Sequence, residues 1–287
     1  MWYTKVVVVC ALIAAVSSPA VAGRGSSPGA IQSAIASDSV DVIESELERA
    51  EHLVCPVCVK MVRPLIDHRD RRVRLVAAWW LARRGLGADL VASMTERLAS
   101  GDPLEARNAA DVLAQLRRPD SVGPLGTAVV DPRLGVEVRV AAATALGAIG
   151  EQSVLVPLGR ALDAPEAPVR VAALAGLRGV RGFQDPGAAV SLLLDADESV
   201  RTEAVLTVGA TRTKAMTSSN AQGAVASLVK LVGSDPSARV RKNAAWALGE
   251  IGAPAALAGP ALSRAAREDR DPLVRSLASA AQARLTR

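Results

Sequence analysis

Apolar and polar positions along most of this chain repeat with the 3.6-residue period of an α-helix, and the same helical pattern returns at intervals. Its clearest copies are VRVAAATALGAIG over residues 138–150 and VRKNAAWALGEIG over residues 240–252. Weaker copies open at Val73-Arg74, Val169-Arg170, Val200-Arg201 and Val274-Arg275, and one at Glu105-Ala106 has Ala in place of Arg. With the Arg as position zero, positions +3, +6, +7 and +10 hold Ala, Ala, Leu and Ile in the two clearest copies. At 100° per residue these lie on one face, which must be the packing face, and its alanines let neighbouring helices approach closely. Positions +1, +5 and +9 lie on the opposite side.

Each copy has one grammar. An Asp, often followed by Pro, opens it: Asp102-Pro103, Asp131-Pro132, Asp235-Pro236 and Asp271-Pro272. Asp accepts hydrogen bonds from free N–H groups at a helix start, and Pro suits the first turn. Gly150, Gly182 or Gly252 closes it. Shorter apolar helices, such as Val154 to Leu162 and Val225 to Val232, lie between copies, so each unit reads as a helix pair and no strand pattern competes. Arg139, Arg170 and Arg201 are spaced 31 residues apart, a repeat period. Residues Ala210 to Gly223 lengthen one unit and read as a surface loop. Ahead of the repeats, Ser37 to Leu53 reads as an acidic helix with Asp38 as its N-cap.

The pattern resembles HEAT repeats, specifically the short type also found in phycobilisome lyases, over roughly residues 52 to 287. The resemblance implies an all-α, right-handed α-solenoid (superhelix) of about seven HEAT-like helix pairs, and it is nearly silent on function. The expected organisation is a signal peptide over 1–22, a flexible linker over 23–36, an acidic capping helix over 37–51 and the repeat domain over 52–287. In such a stack Arg74, Arg139, Arg170, Arg201, Arg241 and Arg275 are expected to form a structural ladder, each with the capping Asp of an adjacent unit.

Composition supports thin helical layers. Half of the residues are apolar, mostly Ala, Val and Leu, with one Phe, one Tyr and four Trp. The first 22 residues read as a signal peptide: Lys5 supplies the positive start, Val6 to Val16 the apolar run, and Ala20-Val21-Ala22 the small residues of a cleavage site. Cleavage near Ala22 predicts a periplasmic or secreted protein, an uncleaved anchor being the alternative. The formal charge of +5 falls to +4 without Lys5, too mild a basic balance to suggest nucleic acid. No later segment is long enough to span a membrane, and a monomer is expected.

In a HEAT-like stack the +1/+5/+9 stripe lines the concave surface. It carries Trp79, Val140, Thr144, Val171, Ala175, Leu206 and Trp246, small and apolar in the middle and flanked by two Trp. Such a trough suits a protein or peptide partner, unless both Trp pack against first helices. The second place for chemistry is Cys55-Pro56-Val57-Cys58. This spacing permits a disulfide stapling the first repeat, a redox pair, or, with His52 and His68, two thiolates and two imidazoles for a metal. An oxidising compartment favours the disulfide. Neither His precedes a Glu, so the His-Glu metal pairs of HEAT-type deoxyhypusine hydroxylases are missing, and there is no phosphate loop or nucleophile elbow. The expectation is a non-catalytic interaction scaffold without cofactor, with a redox or metal-handling accessory protein as the alternative.

Overall fold

The computed structural model describes residues 25–183, 186–211 and 218–286; residues 1–22, expected to be a signal peptide, lie outside them. Among the described residues the regular structure is helical throughout. Two N-terminal helices, α1 (Pro28–Ala36) and α2 (Val40–Arg49), precede seven helix pairs. First helices are α3 (Pro56–Val62), α5 (Gly87–Leu98), α7 (Val122–Val130), α9 (Leu155–Ala161), α11 (Gly187–Ser191), α13 (Ser218–Ser234) and α15 (Ala255–Glu268). Second helices are α4 (Arg71–Leu81), α6 (Pro103–Leu116), α8 (Val136–Ile149), α10 (Ala167–Gly179), α12 (Glu198–Gly209), α14 (Ala238–Glu250) and α16 (Pro272–Leu285). Each second helix packs on the one before and the one after it, so the pairs form a stack. This is the all-α solenoid that the periodicity predicts.

The packing face is the expected one. Ala142, Ala145, Leu146 and Ile149 of α8 are buried, as are Ala244, Ala247, Leu248 and Ile251 at the matching positions of α14. Small residues there set the spacing between layers. A backbone-to-backbone approach occurs between α8 and α10, where a Cβ on Gly147 would lie 2.6 Å from the Cα of Gly176. No side chain larger than hydrogen fits at Gly147 without moving one backbone.

Several expectations about helix ends are corrected. Asp102 and Asp271 cap α6 and α16, accepting from Glu105 N–H and from the N–H groups of Leu273 and Val274. Neither Asp131 nor Asp235 is the N-cap of the helix that follows it. Asp131 ends α7, where hydrogen bonds from the Arg133 side chain and backbone hold its carboxyl down at about 2; Gly135 precedes α8. Ser237, two residues after Asp235, caps α14. Asp38 is not the cap of the acidic helix either: Ser39 holds that position and Asp38 sits at φ +50° in the left-handed region. Gly150 and Gly252 do follow their helices at φ +68° and +67°, whereas Gly182 lies in the turn beyond α10.

The linker expected over 23–36 is helical from Pro28, because Ser27 caps α1 and Ile31 and Ala34 are buried against the stack. The loop expected over Ala210 to Gly223 is helical from Ser218, where α13 begins. Residues 212–217 of that loop lie outside the described ones.

The N-terminal helices dock through charge and one aromatic anchor. Arg72 pairs with Asp41 and Glu44, and Arg69 with Asp38 at 2.7 Å. Trp80 is fully buried and its Nε1 donates to the carbonyl of Ala50. The Arg84 guanidinium lies 3.2 Å from the Trp80 ring centroid and donates to the carbonyls of Ala50, Glu51 and Leu53. Burial pushes its pKa down, with Arg83 adding repulsion. A terminal solenoid layer needs such a cover for its apolar face.

Candidate binding surface and cysteine pair

The +1/+5/+9 stripe is solvent-facing. Trp79, Val140, Val171, Leu206 and Trp246 are half-buried, while Thr144 and Ala175 are exposed. Thr202, on the same stripe, is buried, and its hydroxyl donates to the carbonyl of Glu198. Val140, Val171, Pro168 and Ser199 line a hollow of about 400 Å³ over the N-terminal turns of α8, α10 and α12. The two Trp differ. Trp246 is laid against α12, so that a Cβ on Gly209 would meet its Cζ3 at 2.5 Å. Trp79 has the Arg83 guanidinium 5.2 Å from its ring centroid. Charges bordering the stripe are tied across repeats, Arg71 to Asp111 at 2.9 Å, Arg178 to Glu203 at 2.6 Å and Arg239 to Glu198 at 3.1 Å, so its middle is left apolar.

Three of the arginine positions form a ladder with aspartates just ahead of the N-cap, and Arg139 reaches Glu166 at the N-cap position of α10. Arg170, Arg201 and Arg241 bind Asp195, Asp235 and Asp269 of the next unit at 2.9, 2.8 and 2.7 Å. Each of these aspartates lies two residues before the N-cap and also accepts the N–H of the cap residue. Each Arg donates from Nη1 to carbonyls five and six residues back, as Arg241 does to Pro236 and Asp235. One guanidinium therefore joins its own loop to the next loop. Arg139 uses Glu166 at 2.7 Å and the carbonyl of Val129, and Arg74 uses Asp111, inside the next second helix. Arg275 bonds only to the carbonyls of Asp269 and Arg270.

Cys55 is the N-cap of α3, and its Sγ accepts the N–H of Cys58 at 3.1 Å. The two sulfurs lie 1.95 Å apart, the separation of a bonded pair. Of the histidines considered with them as metal ligands, His52 lines the same hollow as Cys55 and His68 lies in the turn before α4. The His52 side chain is 91% exposed beside Glu51, and His68 accepts the N–H of Asp70 and faces Asp38 at 3.6 Å. Among the described residues no group of three or more His, Cys, Asp and Glu side chains is placed to hold a metal ion.

A family model of HEAT repeats matches residues 91–178 and 187–283, well over half of the chain. The chain belongs to the HEAT-repeat family. Solved structures agree at the level of fold. A designed armadillo repeat protein in complex with the peptide (KR)4 is 24% identical over 67% of this chain and 98% of its own, with a TM-score of 0.53. Importin beta is 14% identical over 90% of this HEAT-repeat chain, which spans 41% of importin beta's length, with a TM-score of 0.59. No curated protein matches.

Two features of this HEAT-repeat protein escape a reading by position in the repeat. Arg84 falls at +10, where the other copies hold an apolar residue or, in one, Thr211, and that mismatch is the one sign of its special role. Trp80 stands at +6 in place of Ala, one residue from Trp79, and the two neighbours face opposite ways.

Proposed function

We propose that this HEAT-repeat chain is an exported binding module that holds an extended segment of a partner protein along its second-helix face. The observation that carries the reading is the apolar run Val140, Val171 and Leu206, open to solvent and bordered by ion pairs already satisfied within the chain. A rigid, preformed trough of this kind binds without a cost of ordering its own backbone. The designed armadillo protein of like fold carries a peptide. Export rests on Lys5, the run from Val6 to Val16 and Ala20-Val21-Ala22. In an oxidising compartment the Cys55–Cys58 pair is a disulfide in the first repeat.

Photo-crosslinking residues placed at Thr144 and at Ala175 test the reading in the source cell. Adducts with a discrete protein from these sites, and none from the exposed first-helix position Val156, are expected. Equal adducts from all three, or none from the two groove sites, overturn it.

A further inference from the structure

The two cysteines of the first repeat are not equivalent. Cys58 is fully buried, whereas Cys55, 7% exposed, forms part of the wall of a hollow of about 670 Å³ between the α2–α3 loop and the end of α4. Around that hollow stand the apolar Val54, Pro56, Val59 and Leu86 together with Glu51, His52, Arg83 and Arg84. Val54 is 93% exposed and Val57 56% exposed. The loop bearing them is itself fixed, since Arg84 and Trp80 bind its carbonyls at Ala50, Glu51 and Leu53. A buried structural staple needs neither a hollow at one sulfur nor exposed apolar side chains on a fixed loop beside it.

We propose that Cys55 and Cys58 form a thiol–disulfide exchange site, with Cys55 the attacked sulfur and the substrate a protein dithiol flanked by apolar side chains. A substrate thiolate enters the hollow and attacks Cys55 Sγ. The new bond joins substrate sulfur to Cys55, the Cys55–Cys58 bond breaks, and Cys58 leaves with the electron pair and takes up a proton. The second substrate thiol loses its proton and attacks the first substrate sulfur, expelling Cys55 as a thiolate that the N–H of Cys58 holds at 3.1 Å until it too is protonated. The substrate dithiol becomes a disulfide, and its two electrons and two protons reside on Cys55 and Cys58. The reverse sequence reduces a substrate disulfide. The hydrogen bond from the Cys58 N–H stabilises a Cys55 thiolate, which favours it as the leaving group of the second step.

The test uses the whole chain. Dithiothreitol, a model dithiol, is expected to reduce the native pair quickly in non-denaturing buffer while the circular dichroism spectrum keeps its helical form. A Cys58→Ala chain is expected to form a mixed disulfide with glutathione disulfide at least about tenfold faster than a Cys55→Ala chain does. The N–H of position 58 survives in the first variant, so its Cys55 thiol is expected to be alkylated with an apparent pKa below the ordinary value of about 8.5. Reduction of the native pair only as fast as the chain unfolds overturns the proposal and needs no variant. Equal reactivity of the two single thiols overturns it as well. None of these readouts involves the second-helix face, so this proposal and the binding reading fail separately.

Discussion

Arg241 grips both oxygens of Asp269, Nε at 2.7 Å and Nη2 at 2.9 Å, while the same carboxylate accepts the N–H of Asp271. Two layers of the stack are thereby joined at a loop rather than through the apolar core. The pair is mostly shielded from water, so removing one partner leaves a charge with poor solvation. Asp269→Asn is expected to destabilise the chain by about 3 kcal/mol, and Arg241→Met with Asp269→Leu together by much less. Urea unfolding of the single and double variants checks this.

The same carboxylate sets a pH dependence. The Arg241 hydrogen bond, opposed by burial and aided by the Asp271 N–H, holds the Asp269 pKa below its ordinary value. Its contribution is therefore complete above the unfolded-state value of about 3.9 and is lost as pH falls through the lower folded-state value. Urea midpoints of the native chain and Asp269→Asn are expected to differ at neutral pH and to converge in acid.

The glycine crossing of α8 and α10 gives a paired test. Gly147→Ala places a methyl 2.6 Å from the Gly176 backbone and is expected to cost about 1–3 kcal/mol. Gly159→Ala, in α9 with nothing within 4 Å of the new methyl, is expected to gain about 0.5–1 kcal/mol through helix propensity. Thermal unfolding midpoints moving in opposite directions bear this out.

The N-terminal cover depends on Arg84 more than on any surface ion pair. Arg84→Met removes the donors to Ala50, Glu51 and Leu53, leaving those carbonyls short of partners. Thermolysin is expected to cut at Leu53 and Val54 at least about tenfold faster in this variant, a local opening made easier by over 1.4 kcal/mol. An unchanged cleavage rate contradicts the role given to Arg84.

The layers and their packing face were legible because both are local. Ala142, Ala145, Leu146 and Ile149 share a face by helical geometry alone. What the sequence hides is non-local. Asp235 stands before Pro236 as a cap would, yet the Arg201 guanidinium from the preceding layer claims it. The helix at Pro28–Ala36 was read as linker because its two buried residues, Ile31 and Ala34, are too few for a periodic signal. Trp79 and Trp80 are one residue apart, and only their surroundings distinguish a surface ring from an anchor. Of the His52, Cys55, Cys58 and His68 cluster, His52 and Cys55 share a hollow, while His68 faces Asp38.

Export carries its own check. Intact mass of the protein recovered from the cell envelope or medium is expected to lack residues 1–22. Retention of the segment in a membrane fraction contradicts cleavage near Ala22.

The central claim is that the open apolar face of the second helices engages a partner protein. The most direct measurement is the affinity of the partner crosslinked at Ala175, purified and titrated against the native chain and against Ala175→Glu. A charge at that exposed site leaves the fold intact and is expected to weaken binding by at least about tenfold, or 1.4 kcal/mol. Equal affinity for both chains contradicts the claim.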